Sequence, residues 1–395
     1  SNGLTAPAAQ KLTAMSEKIG KQKLSWPTIA FLTLTPPLAA LGIFYWFYTG
    51  MFNWGTFILF LLMWTAVGIS TTAGYHRLFT HRAYEASWPV RLFFLLFGAA
   101  SWEASAWRWT MDHHKHHRYV DTERDPYNIK QGFWHAHLWW LFKEREYDHT
   151  SALGIEYGKD PLIRFQHKYY YPIAVGIAFV LPAAIAALWG DAFGGFILAG
   201  LGVVVINHHF TFSINSFAHW LGRQPYSDKH SARDSHFLAF FNYGEGYHNY
   251  HHEFPNDYRN GIRWYHWDPT KWLIRTLHAF GLVKNLKSVS AELIVKRKIA
   301  MQQKRMQSAV VNKTPSFAEM AQQMSTLAAE HALAAARKWS ELRKEYYELK
   351  RQKTAAMRDK IAEVRLRMKS ARREFEQMFE RYRNLNKSFL KLSEA

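Results

Sequence analysis

The 395-residue sequence predicts an all-α integral membrane protein with four transmembrane helices, and three observations carry that prediction. Residues 24–75 contain no charged side chain and no histidine, far more than the roughly 20 apolar residues one helix needs to cross a bilayer. A second apolar stretch returns at about 169–212. The segments between and after them are polar and hold three dense histidine clusters: His76 with His81, His113 through His117, and His248 through His252. Together these predict a helical domain that caps the bundle and holds a dimetal site.

Taken in order, residues 1–25 read as a polar cytoplasmic lead-in. The break at Thr49–Gly55 divides the first apolar stretch into spans at about 27–48 and 54–74, and Pro36-Pro37 should bend the first. Residues 92–101 are apolar but too short to cross, so a buried or partly inserted helix is expected there. Trp189-Gly190-Asp191 divides the second stretch into spans at about 169–190 and 192–212. The two short connections carry no Lys or Arg, whereas 1–24, 76–168 and 220–300 carry many. By the positive-inside rule both termini and all three histidine clusters are then cytoplasmic. The first 24 residues lack an apolar core, so no signal peptide is expected. The aromatic content, 16% of residues, suits a membrane interface.

Residues 26–290 thus read as one membrane domain and 291–395 as a basic helical extension. Formal net charge is +19, of which 291–395 contributes +12, from 24 Lys/Arg against 12 Asp/Glu. That segment lacks glycine, and its apolar residues from Met357 to Leu392 alternate steps of four and three, a heptad seam. A second register through Ala335, Trp339, Leu342, Tyr346 and Leu349 meets it with a one-residue shift. A long helix or helical hairpin follows, able to self-associate. Its basic face is a solvated surface, a lipid contact or a docking arm. No base-reading module accompanies it, so nucleic acid is not an expected partner.

The chain has no cysteine, which excludes disulfides and thiolate metal ligands. Any metal must be held by histidine, asparagine or carboxylates. His113, His116 and His117 stand at i, i+3, i+4, one face of a helix, and His248, His251 and His252 repeat that spacing. Asn215 and His219 lie four residues apart at the end of the last span. Such an imidazole set suits non-haem iron with positions left open for O2. His114 points away from its triad by spacing. The remaining histidines, among them His135, His137, His208 and His209, read as supporting, packing or surface groups.

In this order and spacing, the H-x4-H of His76–His81, the H-x2-H-H of His113–His117 and Gly244–His252 resemble the membrane fatty acyl desaturases. The sequence most resembles the Δ9 acyl-CoA (stearoyl-CoA) branch and its bacterial relatives, and the resemblance runs from about residue 26 to 290. It implies two irons bound by His76, His81, His113, His116, His117, His219, His248, His251 and His252, with Asn215 acting through water. Zinc is expected to replace iron in some recombinant preparations. It also implies an O2-dependent cis desaturation, at Δ9, of a saturated acyl chain bound in a kinked apolar tunnel. Trp109 and Thr211 fall where family members shape the kink, and Trp64 and Gly68 where they close the far end. Met111, Glu103 and Ala104 depart from the animal enzymes at places that contact the carrier, which leaves acyl-CoA, acyl carrier protein and phospholipid open. No haem- or flavin-binding segment is recognisable. The expected electron donor is therefore a separate protein, a ferredoxin with its reductase or a cytochrome b5-like protein, acting at a bacterial inner membrane. A hydroxylase of the same membrane di-iron class, and a histidine-rich metal carrier, are the competing readings.

Overall fold

The computed structural model describes residues 23–311, 313–352 and 357–394, so the lead-in expected over 1–25 lies outside the described residues except for its last three. The fold is mostly helical, with one two-stranded sheet among the described residues. Contacts divide the chain into two compact units, 1–222 with 231–287, and 223–230 with 288–395.

In the first unit four helices are long and apolar enough to cross a membrane: Trp26–Tyr48, Trp54–Thr80, Tyr170–Ala187 and Ala192–Trp220. The chain is a membrane protein of the predicted all-α class. The second and fourth helices run past the expected ends at 74 and 212, because each continues into the histidine-bearing region. The first span continues as a helix through Pro36 and Pro37. Asn53 opens the second span, its side chain accepting from the Gly55 and Thr56 amides. Asp191 does the same for the fourth, accepting from the Gly194 amide at 2.9 Å. The Asp191 carboxylate also accepts from Trp46 Nε1 at 3.1 Å and Thr56 Oγ1 at 2.5 Å. One buried side chain therefore ties three spans together at the end opposite the histidines.

The apolar segment near 92–101 forms the short helix Trp88–Ala99, which buries Val90, Phe94 and Leu95. Phe94 lies against Gly74 of the second span, where an added Cβ would come within 2.6 Å of it. Strand Glu85–Ala86 pairs antiparallel with Val283–Lys284 and joins the helix Pro269–Ala279 to the same core.

The second unit contains helices Ala291–Val310, Pro315–Gln352 and Arg358–Glu394. The last two form a hairpin. Val364, Ala371, Phe375, Tyr382 and Phe389 are buried, so the heptad seam faces inward as far as Phe389, while Leu392 at its end is exposed. Val295 and Ile299 from the first of the three helices share this core with Ala329, Ala332 and Ala336.

Candidate metal centre

Two groups of imidazoles converge in the first unit. His76, His81, His113, His117 and His251 form one, and His116, His219, His248 and His252 form the other. Within each, one ligand atom per residue lies within 4.8 Å of all the others. The local folds explain the convergence. Between Ser70 and Thr80 the second span opens to π-helical geometry, and the His81 amide bonds the His76 carbonyl, an i→i+5 step. On an α-helix, residues five apart diverge by about 140°. The wider turn brings His76 and His81 back toward one side, a use typical of π segments at functional sites.

The helix Ala106–Tyr119 carries the second cluster, and the short helix His248–Glu253 carries the third. Their shared spacing does not aim each triad at one point. His113 and His117 join the first group while His116 joins the second, and likewise His251 joins the first while His248 and His252 join the second. The i, i+3, i+4 pattern thus lets one helix serve two adjacent positions. A tight turn delivers the third cluster. Gly244 has φ +99, and a Cβ there would lie 2.6 Å from Asp268; a Cβ on Gly246 would lie 2.2 Å from the Ala239 nitrogen.

Supporting carboxylates and hydroxyls set the tautomers. His76 Nδ1 lies 2.8 Å from Glu245, and His116 Nδ1 lies 2.8 Å from Asp125. Each Nδ1–H donates outward, which leaves the Nε2 lone pair facing inward. Ser231 donates its hydroxyl proton to Asp121 and so accepts from His219 Nδ1 at 2.7 Å, with the same result. His113 Nδ1 lies 3.1 Å from the Tyr127 hydroxyl. Glu245 is held in turn by Arg77, at 2.8 Å, and Arg77 also bonds Asp268 at 3.0 Å. Burial pushes the Glu245 carboxyl up, but Arg77 and His76 outweigh it and lower it to about 2. These acids and hydroxyls were not singled out from the sequence. The available signal was Glu245 inside the third motif and Asp121 and Asp125 just after the second.

The inward nitrogens fit a cation. Nε2 atoms stand 3.0 Å apart for His76 and His251, 3.0 Å for His219 and His248, and 3.2 Å for His116 and His252. Burial, reinforced by neighbouring imidazoles, holds His81, His113, His117, His251 and His252 well below the usual imidazole range. His76, His116 and His219 turn an Nε2 lone pair inward, so at these distances each must meet either a partner's N–H or a cation held between the rings. The all-imidazole donor set suits a first-row transition metal in each group.

A cavity of about 810 Å³ adjoins the first group, and His76, His113, Asn215, Trp109 and Thr211 are in its wall. Asn215 is half-buried and faces this space. Glu103 lies between the two kink candidates, accepting from Trp109 Nε1 at 3.2 Å and Asn207 Nδ2 at 2.9 Å, with Thr211 as a further partner. Arg108, Lys143 and Lys168 add positive charge to the wall, while Arg145 is paired with Asp112 at 2.6 Å and Glu144 also lies there. Trp64 and Gly68 are placed differently. Trp64 packs against Phe60, Phe210 and Tyr243, and the Tyr243 ring fills the space over Gly68, 2.3 Å from where a Cβ would stand. Tyr243, not foreseen, holds φ 55 and donates its hydroxyl to the Trp64 carbonyl at 3.2 Å. His114 turns from the metal groups to the Tyr157 hydroxyl at 3.2 Å. His137 lies 2.8 Å from Ser216 and 3.2 Å from His209.

Four membrane helices and two groups of imidazoles suited to hold metals, the first of them beside a cavity, define a membrane protein with a candidate histidine metal centre. A family model described as fatty acid desaturase matches residues 52–283. The chain belongs to the fatty acid desaturase family. It is 41% identical over 283 residues to a probable acyl-CoA desaturase of Schizosaccharomyces pombe, covering 71% of this chain and 58% of that protein. It is 44% identical over 250 residues to acyl-CoA desaturase 1 of Saccharomyces cerevisiae, covering 62% and 49%. To human stearoyl-CoA desaturase 5 it is 35% identical over 251 residues, covering 60% and 74%. The chain spans about half the length of the two yeast relatives.

Proposed function

We propose that this protein is an O2-dependent acyl-CoA desaturase that places a cis double bond, at Δ9, in a saturated acyl chain. The observation that carries the reading is the pair of buried imidazole groups, the first of which abuts a cavity of about 810 Å³. Its metal ligands are the nine histidines, with Asn215 beside them. Two irons held there would supply O2 activation and the removal of hydrogen from adjacent methylenes. The balance takes two hydrogens from the chain, two electrons delivered one at a time by a donor protein and two protons from solvent, and returns the oxygen as two waters. The carrier reading rests on the names of the relatives and on the basic side chains in the cavity wall, which would receive an anionic headgroup.

The residues of the chain position this chemistry. Trp109, Thr211 and Glu103 form one hydrogen-bonded wall, which would fix the bend of an acyl chain against His76 and His113. Glu245 and Asp125 keep their histidines in the metal-binding tautomer. We place the site and both termini on the cytoplasmic side of a bacterial inner membrane, where a ferredoxin-type or cytochrome b5-like donor would meet it. Expression with a working donor in a host that lacks its own desaturase tests the function. New unsaturated fatty acids with the bond at Δ9 are expected; their absence would count against the reading.

A further inference from the structure

Outside the metal centre, the first unit carries an open aromatic surface. The helix His236–Phe241 leaves Phe237 72% and Phe240 57% exposed, and the nearby loop leaves Trp264 81% and Tyr265 56% exposed. The rings are contiguous. Phe240 lies 5.0 Å from Trp267, Trp267 lies 5.5 Å from Trp272, and Phe237 lies 5.1 Å from Phe241. An exposed apolar patch of this extent is normally covered by a partner or a membrane.

We infer that this surface lies in the phospholipid interface and anchors the segment that delivers His248, His251 and His252. Continuity with the spans identifies the occupant. The Phe241 ring sits 5.7 Å from Phe210 of the fourth span, and Tyr243 bonds the second span at the Trp64 carbonyl. Phe210 stands eighteen residues into a helix that begins at Ala192. At about 1.5 Å per residue that is about 27 Å along the span, within a hydrocarbon core roughly 30 Å thick. Phe241 therefore lies beside the edge of the hydrocarbon, and Phe237 and Phe240 face lipid from the same short helix.

The side-chain chemistry grades as an interface requires. Phenylalanines lie nearest the spans, and Trp264, Tyr265, Trp267 and Trp272 add rings with one polar tip each, suited to the headgroup level. Arg263 and Arg275 are exposed beside them. The one acidic residue between 258 and 287, Asp268, is buried against Arg77, so this flank is basic and favours anionic lipid. The loop is firmly held. Lys271 Nζ donates to the carbonyls of Gly261 at 2.6 Å, Arg263 at 2.8 Å and His266 at 3.2 Å. The anchor is thus a fixed surface joined by the Asn242–Gly246 turn to the last three ligands.

The absence of cysteine makes the test direct, since single-cysteine variants need no background substitutions. F237C, F240C and W264C would each carry a nitroxide in the full-length protein, reconstituted in phosphatidylcholine nanodiscs with and without phosphatidylglycerol. E123C, in an exposed polar loop, is the aqueous control. The inference expects the ratio of O2 to nickel-chelate accessibility at 237 and 240 to be several-fold above that at 123, with 264 between them. Metal content reports whether each variant is intact, and W272C reads the same surface if a phenylalanine variant loses metal. Chelate accessibility at 237 and 240 equal to that at 123 would overturn the inference. Spin–spin broadening between copies would overturn it too, because it would assign the surface to a second copy of the chain.

Discussion

Eight of the nine candidate histidines were legible because their spacing is dense and cysteine is absent, whereas His219 was named only from its place at the end of the last span and from the family resemblance. Their division into two groups was not legible. It depends on a π-helical segment and on which helical turn faces which neighbour, and neither is written in the residue types. The supporting acids were equally hidden, since a carboxylate near a histidine in sequence need not meet it in space. Asp125 tests the tautomer argument. D125N keeps the shape but removes the carboxylate that fixes His116, and is expected to weaken metal binding by about 10–100-fold. Chelator competition on iron-loaded protein measures this, and an unchanged affinity would contradict the role. Glu103 gives a second prediction. Burial pushes its carboxyl up to about 8, against the lowering donors Thr211, Trp109 and Asn207. With its pKa raised, the group is neutral below that value and ionised above it. An anion in the wall disfavours an apolar chain, so KM for the acyl substrate should rise as pH climbs through about 8. E103Q should flatten that limb, and a parallel rise in the variant would contradict the assignment.

At the scale of elements, the spans were legible from the absence of charge and from the two short breaks. Their ends were not. The second and fourth helices continue beyond the apolar run because their last turns pack inside the cap, where polar side chains find protein partners. The helix Trp88–Ala99 was expected as an apolar segment too short to cross, and its packing against Gly74 explains why it stays with the bundle. Asp191 was visible only as part of a break, yet it gathers Trp46, Thr56 and the Gly194 amide. D191A strands those buried donors and removes a cap, at a cost of about 1–3 kcal/mol. Thermal unfolding in detergent should show the loss, with metal content little changed at low temperature, because the residue lies at the far end from the histidines.

At the scale of the molecule, the heptad pattern made the hairpin of Pro315–Gln352 and Arg358–Glu394 legible, while the third helix that completes its core was not foreseen as a separate piece. All nine histidines and the cavity belong to the first unit. A chain ending at Lys287 is therefore expected to retain its metal complement when purified with iron, as metal analysis would show. A collapse of metal content would make the tail a support of the site. The proposed desaturation by two imidazole-held irons beside the cavity is tested by the mass of the product from purified, iron-loaded protein given stearoyl-CoA, a reductant chain and O2, with H116A as the inactive control. A product lighter than the substrate by two hydrogens, formed only by the unsubstituted protein, is expected; a product heavier by one oxygen would mean hydroxylation instead.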